Sequence, residues 1–219
     1  MGRPRQITRE SIVDAALAIG IDDVTMKSVA ARLGVSIGAL YRHVRDRTEL
    51  LRLVADLQLR NGKAPPDVGQ HWATLARGYG EMLFQSFVGR PGLIAEYVNG
   101  GFPPDSEVAG MEVYLESMCR RGFTAAAAFS MMTEVRAAAL GAAMVATAMG
   151  SVVALAGDAD VLVDAAFAAR GDDGLPRLRT IDADYRATIA APGWAAVVDR
   201  VLLAVATERG ESLPAGWRE

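Results

Sequence analysis

Between positions 25 and 47 the sequence carries a run of side chains that can donate hydrogen bonds to phosphate oxygens. Hydroxyl, imidazole and guanidinium groups recur there, at Ser36, Tyr41, His43, Arg45 and Arg47. Lys27 and Arg42 have longer side chains that reach further, towards base edges. This chemistry suits binding to a nucleic acid, and the alternative is a solvated charged face with a half-buried tyrosine.

The charge of the chain supports a nucleic-acid partner for its first part only. The net charge is −3 over 219 residues, but residues 1–63 carry 11 Lys and Arg against 7 Asp and Glu. Residues 64–219 carry 12 against 19. The first part therefore has a formal charge of +4 and the second of −7, a split that is expected when only the first part approaches phosphates.

Four short helices are predicted to position these side chains. Thr8 caps the first helix, which Gly20 ends, and Thr25 caps the second, which ends at Gly34. Ser36 caps a third helix that runs from Ile37 to about Val44, with Leu40 facing inward beside Ala39 or Val44, and Asp46 caps a fourth that ends near Gly62. Two helices of about two turns, joined by a turn that contains glycine and packed on a preceding helix, form a helix-turn-helix.

The stretch VTMKSVAARLGVSIGALYRHVRDRTELL, at residues 24–51, resembles the signature of the TetR family of transcriptional regulators. That family usually has lysine where Arg47 stands and often phenylalanine where Val44 stands. Arginine keeps the charge that binds phosphate, and valine keeps an apolar side chain at its position. The resemblance implies an all-α fold with an N-terminal helix-turn-helix domain and a larger helical domain for ligand binding and dimerisation.

The resemblance also implies roles for individual residues. The DNA backbone would be held by Thr25, Ser36, Tyr41, His43 and Arg47. Base edges would be approached by Lys27, Ile37, Gly38, Ala39 and Arg42. Side-chain chemistry agrees, since lysine can donate to guanine, while isoleucine and alanine can touch a thymine methyl group.

The rest of the chain is also predicted to be helical, with a domain boundary at Ala64-Pro65-Pro66. Residues 1–63 form the expected DNA-binding domain and 64–219 the expected effector-binding and dimerisation domain. The predicted helices beyond the boundary cover 68–88, 93–98, 107–121, 124–156, 159–169, 183–190 and 194–209. Expected caps include Asp67, Thr124, Asp158 and Asp182.

The pattern CRRGFT at residues 119–124, followed by a long alanine-rich helix, is similar to the tetracycline repressor branch of the family. In that branch a histidine coordinates the magnesium ion of the bound drug. The comparable segment here, 96–100, reads EYVNG and has no histidine. The sequence therefore argues against a metal-tetracycline ligand, and we predict no metal or cofactor.

Large, pliable side chains in the second half are candidates for lining an effector cavity. We expect effector contacts from Tyr79, Met82, Tyr97, Phe102, Tyr114, Met118, Met132 and Arg136. Arg136 lies in an otherwise apolar helix, where an unpaired charge is costly. It therefore pairs with a neighbour or a partner chain, or anchors an acidic or carbonyl group of an effector.

An uncharged run of 21 residues, 137–157, is long enough to cross a bilayer as a helix. Its alanines and glycines give it little tendency to insert, so we predict a buried helix of a soluble protein and no membrane partner. The single cysteine, Cys119, and the absence of an apolar segment after Met1 favour the cytoplasm.

The sequence supplies no constellation for catalysis, because it has two histidines, one cysteine and no glycine-rich phosphate loop after a strand. We predict a non-enzymatic repressor that binds a palindromic operator as a homodimer and is released by a small, largely apolar effector. The alternative is a constitutive architectural DNA-binding protein, which needs no ligand cavity.

Overall fold

The computed structural model describes residues 7–20, 23–61, 65–100, 104–171, 174–191 and 193–218, and these ranges contain twelve helices and no β-strand. The first seven are α1 (Arg9–Ile19), α2 (Met26–Leu33), α3 (Ile37–Leu40), α4 (Arg47–Asn61), α5 (Trp72–Phe87), α6 (Pro91–Val98) and α7 (Pro104–Cys119). The others are α8 (Ala125–Ala156), α9 (Ala159–Ala168), α10 (Pro176–Arg179), α11 (Asp182–Ala190) and α12 (Ala195–Glu208). The all-α fold predicted from the sequence is confirmed.

The chain divides into two compact units. The first unit contains residues 1–63 together with 90–117, and the second contains 64–89 together with 118–219. The sequence analysis predicted two domains, residues 1–63 and 64–219. Residues 90–117 nevertheless group with the N-terminal residues, because α6 packs against α4.

The core of the first unit forms where α1 contacts both α2 and α4, and α2 contacts α3. The side chains at its centre are apolar and almost fully buried: Ile12, Ala16, Val24, Val29, Leu40, Val44, Leu50 and Val54. Thr8 and Thr25 cap their helices as predicted, each in a reciprocal arrangement with a serine three residues later. Gly34 ends α2 in the left-handed conformation that glycine adopts without strain.

Helix α3 is shorter than the sequence suggests. Ser36 caps it as predicted, but the helix ends at Leu40 and not near Val44. After Leu40 the backbone tightens, since its carbonyl oxygen accepts the N–H of His43 at 2.8 Å as well as that of Val44 at 3.0 Å. Residues 41–43 therefore form a turn, and Val44 still reaches the core.

The second unit is built on α5, α8 and α12, each of which contacts the other two. Its core includes Trp72, Phe87, Met131, Met132 and Leu202. The helices approach closely at Gly80, where an added Cβ would lie 3.0 Å from Val135 Cγ1 and 3.3 Å from Val198 Cγ2. A methyl group at this crossing would have to displace the valine side chains by a few tenths of an ångström.

Helix α5 starts at Trp72, later than the predicted start at 68, because Asp67 is used elsewhere. Its carboxylate accepts the backbone N–H of Gly69 and is paired with Arg120 and Arg121. His71 is the actual cap, and its Nδ1 accepts the N–H of Ala73 at 3.2 Å.

The last residues of the second unit fold back onto the start of α5. Trp72 Nε1 donates to Glu211 at 2.8 Å, and Thr74 Oγ1 donates to the carbonyl oxygen of Trp217 at 2.9 Å. The Trp217 side chain is buried. We call residues 211–218 the C-terminal strap.

A smaller core in the second unit involves α9, α10 and α11. Phe167, Val163 and Ile189 are buried there, and the ring of Tyr185 stacks on that of Phe167. Helix α10 was not predicted. The expected cap of α11, Asp182, is its first helical residue, and it is held by Arg186 Nε at 2.8 Å.

Helix α8 is the only helix of the described residues that is long and apolar enough to cross a membrane by itself. Only 17% of its most apolar 18-residue window is buried within the chain. The burial predicted for residues 137–157 is therefore not supplied by this chain, because contacts with α5, α9, α11 and α12 cover only part of the helix surface.

Candidate nucleic-acid interface and effector region

The candidate interface lies on α2, α3 and the turn after α3, all within the first unit. The hydroxyl oxygens of Thr25 and Ser36 cap these two helices by accepting the backbone N–H of Ser28 at 2.9 Å and of Ala39 at 3.2 Å. The caps hold both hydroxyl groups at helix N-termini, where anions are favoured.

Eight of the ten residues expected to meet DNA are exposed: Thr25, Lys27, Ser36, Ile37, Gly38, Tyr41, Arg42 and Arg47. Ile37 is 40% exposed and Tyr41 is 52% exposed, and they lie close together in the sequence on and just after α3. Gly38 has open space where a Cβ would stand, apart from Ser36 Oγ at 4.0 Å. The short helix therefore presents an apolar and hydrogen-bonding surface to solvent.

Three of the expected DNA contacts have different surroundings. Ala39 is 7% exposed and packs inward beside Leu40, which leaves it unable to reach a base edge. His43 is half-buried. Arg47 donates through Nε to the carbonyl oxygen of Val24 at 2.9 Å, which joins the start of α4 to the segment before α2.

One carboxylate, that of Glu49, holds the end of this surface in place. Its Oε1 accepts Arg9 Nη2 at 2.9 Å, and its Oε2 accepts the backbone N–H of Arg45 at 2.6 Å and Arg45 Nε at 3.2 Å. Arg9 Nε also donates to the carbonyl oxygen of His43 at 3.0 Å. The sequence analysis did not single out Glu49 or Arg9, and Glu49 three residues after the expected cap Asp46 was the available signal.

Hydrogen bonds to the charged form of Glu49 stabilise that form. The backbone N–H of Arg45 contributes most to lowering the pKa of the Glu49 carboxyl below its ordinary value, with the guanidinium groups of Arg45 and Arg9 acting in the same direction. Burial opposes this shift. The carboxylate is therefore ionised at neutral pH and bonded to both arginines.

The eight effector candidates fall in both units. Tyr97 and Tyr114 belong to the first unit, half-buried and buried respectively, and Phe102 lies outside the described residues. The second unit contains Tyr79, Met82, Met118, Met132 and Arg136. Met118 and Met132 are buried, and Met82 is half-buried.

Within the second unit, the structure brings Tyr79 of α5 next to Arg136 of α8. The Tyr79 hydroxyl oxygen accepts Arg136 Nη2 at 3.3 Å and Nε at 3.4 Å. Both side chains are half-buried. This pair brings a cation and a phenol hydroxyl together between α5 and α8.

A pocket of about 550 Å³ lies elsewhere in the second unit. It is lined by Asp67, Gly69, Gln70, His71, Trp72, Arg120, Arg121, Arg209 and Glu211, none of which was expected to bind an effector. Its charged groups are engaged with one another, with Arg121 bonded to Asp67 and Arg209 to Glu211. Among the described residues, no group of three His, Cys, Asp or Glu side chains is placed to hold a metal ion.

Comparisons with known proteins agree with this geometry. Residues 12–54 match the model of the bacterial regulatory proteins, tetR family. The class D tetracycline repressor of Escherichia coli is 30% identical over 125 residues, which cover 54% of this chain and 57% of the repressor. The alignment thus spans little more than half the length of this relative.

Two solved structures share the fold at low sequence identity. Streptomyces coelicolor ActR in complex with actinorhodin superposes with a TM-score of 0.67 at 19% identity, covering 94% of this chain and 100% of that one. A TetR variant of Acinetobacter baumannii in complex with minocycline gives 0.59 at 16% identity, covering 91% and 99%. Residues 1–63, the head, contain the segment that matches the family model. On this match and on the shared fold, the chain resembles the TetR family of bacterial regulatory proteins.

Proposed function

We propose that this protein is a ligand-responsive transcriptional repressor that binds a palindromic operator as a homodimer. The observation that carries the proposal is the exposed surface of α3 and the following turn, where Ile37, Tyr41 and Arg42 face solvent above a complete core. Residues 1–63 bind DNA in this proposal, and residues 64–219 bind the effector and form the dimer. No catalytic activity is included, because members of this family are transcriptional regulators.

The contacts with DNA divide into two kinds. Thr25, Ser36 and Tyr41 hold phosphates, with His43 and the Nη groups of Arg47, while Lys27, Ile37, Gly38 and Arg42 approach base edges. Ala39 is left out because it is buried. The residues that hold phosphates should determine the affinity for all duplexes, and the residues at base edges should determine the sequence preference.

The exposed stripe of α8 supports the homodimer. Its members repeat every three or four residues, carry no charge and are all exposed: Ala137, Gly141, Met144, Val145, Ala148, Val152 and Leu155. On α12, Val197 and Leu203 are also exposed. Pairing these helices with those of a second copy would form a four-helix bundle, and the two heads would read half-sites about one DNA turn apart, ~34 Å.

The Tyr79 and Arg136 pair supports a largely apolar effector with a polar group. The solved structures of this fold with actinorhodin and minocycline show that such a fold accommodates small molecules in those proteins. An effector releases the operator only if it binds more tightly to a state whose heads no longer match successive grooves. We place this regulator in the cytoplasm, where the operator is found.

Selection of duplexes from a random pool tests the DNA-binding part. We expect enrichment of a two-fold symmetric site, bound by a dimer, with affinity that falls steeply between 50 and 200 mM salt, on the order of 10³-fold for six phosphate contacts. A monomer that enriches no sequence and shows a flat salt titration contradicts the proposal. A dimer that binds all duplexes equally and retains no small molecule is the result expected of an architectural protein.

The effector part is tested through Arg136→Met. Small molecules extracted from the purified native protein are identified by mass spectrometry and added back to the operator complex. We expect the variant to keep its dimer and its operator affinity but to lose release by the added molecule. Glu81→Gln, at an exposed position of α5, is the control and should respond like the original protein. Loss of the dimer in the Arg136 variant contradicts the effector role.

A further inference from the structure

The Glu49 carboxylate aligns two arginines that flank the turn after α3. Arg9 comes from the start of α1 and Arg45 from the segment before α4, and each donates to a different oxygen of the same carboxylate. The side chain of Glu49 is 16% exposed, whereas those of Arg9 and Arg45 are 57% and 80% exposed. The carboxylate is thus shielded, and both cations point to solvent.

The bonding leaves the outer nitrogens of Arg45 available. Nε of Arg45 is bonded to Glu49, which restrains the guanidinium, and the side chain of Arg45 is 80% exposed. A guanidinium presents donors in a fork that matches two oxygens of a phosphate. An arginine whose orientation is already fixed loses less conformational entropy when it binds.

The position of the pair places it beside the proposed phosphate contacts. Arg45 follows Val44, directly after the turn that carries Tyr41 and His43, and Arg9 Nε is bonded to the carbonyl oxygen of His43. The two arginines therefore lie next to the turn that carries two of the proposed phosphate contacts.

We propose that Arg9 and Arg45, aligned by Glu49, form a phosphate clamp that binds the DNA backbone at the end of the turn at residues 41–43, which we call the reading turn. This inference rests on the proposed DNA-binding function and adds three residues to it. Arg9 and Arg45 contact phosphate, and Glu49 is a positioning residue that does not touch DNA.

The effect of Glu49→Gln distinguishes positioning from simple charge. Removing a negative charge near a polyanion should tighten binding if Glu49 only repels phosphate. The clamp predicts the opposite sign, because glutamine cannot pair with both guanidinium groups and the arginines become less ordered. We expect the affinity to fall by about two- to fivefold although the net charge of the head rises by one.

The experiment uses the full-length protein and a 30-base-pair duplex of scrambled sequence, titrated at several salt concentrations. Arg45→Gln should lower the affinity at 0.1 M salt by about five- to tenfold and reduce the slope of log K against log salt by about one. Arg52→Gln, which removes the same charge from an exposed position of α4, should change both by much less. Urea unfolding of each variant establishes that the fold is intact.

Tighter binding by Glu49→Gln, or an Arg45 variant that behaves like Arg52→Gln, overturns the clamp. If Glu49→Gln fails to fold, Arg45→Lys replaces it, since lysine keeps the charge but loses the bond from Nε. Weaker binding with an unchanged slope then supports the clamp, and binding equal to the original overturns it. An original protein that binds no duplex at low salt overturns the proposed function itself, whereas tight binding with unaffected variants overturns only this inference.

Discussion

The head and the second unit both leave helix surface uncovered, and the uncovered side chains differ in kind. On the reading turn of the head, Tyr41 and Arg42 are exposed above the buried Leu40, and hydrogen-bond donors dominate. On α8, the exposed stripe consists of alanine, glycine, valine, methionine and leucine without any charge. One surface suits a hydrated polyanion and the other a surface of similar apolar character.

The difference also extends to how each surface is held. Arg9, which is held by Glu49, donates to the carbonyl oxygen of His43 and so ties the reading turn to α1. The stripe on α8 needs no such bonds, because small residues on a 32-residue helix already define a smooth surface. Polar recognition thus requires ordered side chains, while apolar association requires mainly shape.

The largest effect is expected from a charge placed in the α8 stripe. Val145→Glu would bury a carboxylate between two copies of the chain, which is costly without a partner. We expect a monomer by analytical ultracentrifugation and an operator affinity reduced by roughly two orders of magnitude, since the two heads lose their mutual effective concentration.

Ala154→Glu is the matched control for that variant. Ala154 is exposed on the same helix but lies on a different face from Val145. The nine positions between them correspond to about 180° of helical rotation. The Ala154→Glu variant should remain dimeric. A dimeric Val145→Glu protein would mean that the stripe on α8 is not the dimer interface.

The two kinds of contact within the head give the next largest effect. Tyr41→Ala should weaken binding to operator and scrambled duplexes alike, by about tenfold, because it removes a phosphate contact. Lys27→Ala should cost roughly 1–3 kcal/mol at one base position and little elsewhere. Competition titrations against single-base operator variants measure both. Identical profiles for the two variants would remove the division between phosphate and base contacts.

Two glycines of the second unit, one in α5 and one in α8, allow covered and uncovered helix surface to be compared. Gly80→Ala would press a methyl group against the buried Val135 and Val198, and we expect a loss of about 1–2 kcal/mol in the free energy of unfolding. Gly150→Ala has open space at an exposed position of α8 and should gain about 0.5–1 kcal/mol. Urea titrations at neutral pH provide both values, and equal signs would contradict the close approach at Gly80.

The smallest effect concerns pH and the cap of α5. Burial holds the pKa of His71 below its ordinary value, with the charges of Arg121 and Arg209 acting in the same direction and Glu211 opposing. The neutral ring accepts the N–H of Ala73, and a protonated Nδ1 cannot. Stability from this cap is therefore complete above the ordinary pKa and is lost as the pH falls below it.

His71→Asn provides the test of that pH dependence. Asparagine caps helices without titrating, so the variant should lack the loss of stability that the original protein shows as the pH falls below the ordinary pKa of histidine. Urea unfolding at several pH values measures it. Parallel pH profiles for the two proteins would show that His71 keeps its cap when protonated or contributes nothing.

Local signals in the sequence predicted much of the head. The caps Thr8, Thr25 and Ser36 and the end of α2 at Gly34 are confirmed, because each depends on hydrogen bonds that span three or four residues. The end of α3 was predicted four residues too late, since the tight turn at 41–43 keeps the same inward position for Val44. The spacing allowed either Ala39 or Val44 to face inward beside Leu40, and both are buried.

Features that depend on distant residues were not predictable in the same way. Asp67 is of a residue type that often caps helices, but its partners Arg120 and Arg121 lie more than fifty residues away. Glu49 and Arg9 are forty residues apart. Nothing in the local sequence pattern shows that these pairs meet. Helix α10 was missed for a different reason, because a single turn of four residues is too short to show a helical pattern.

The C-terminal strap has a consequence for the order of synthesis. Because Glu211 and Trp217 bond to Trp72 and Thr74, the opening turn of α5 acquires these neighbours only after about 140 further residues have been made. The contacts among α1, α2, α3 and α4 all lie within residues 9–61, and α6, which packs against α4, ends at Val98. On a translating ribosome, the first four helices can settle early, while the remainder of the polypeptide waits for its final segment to emerge.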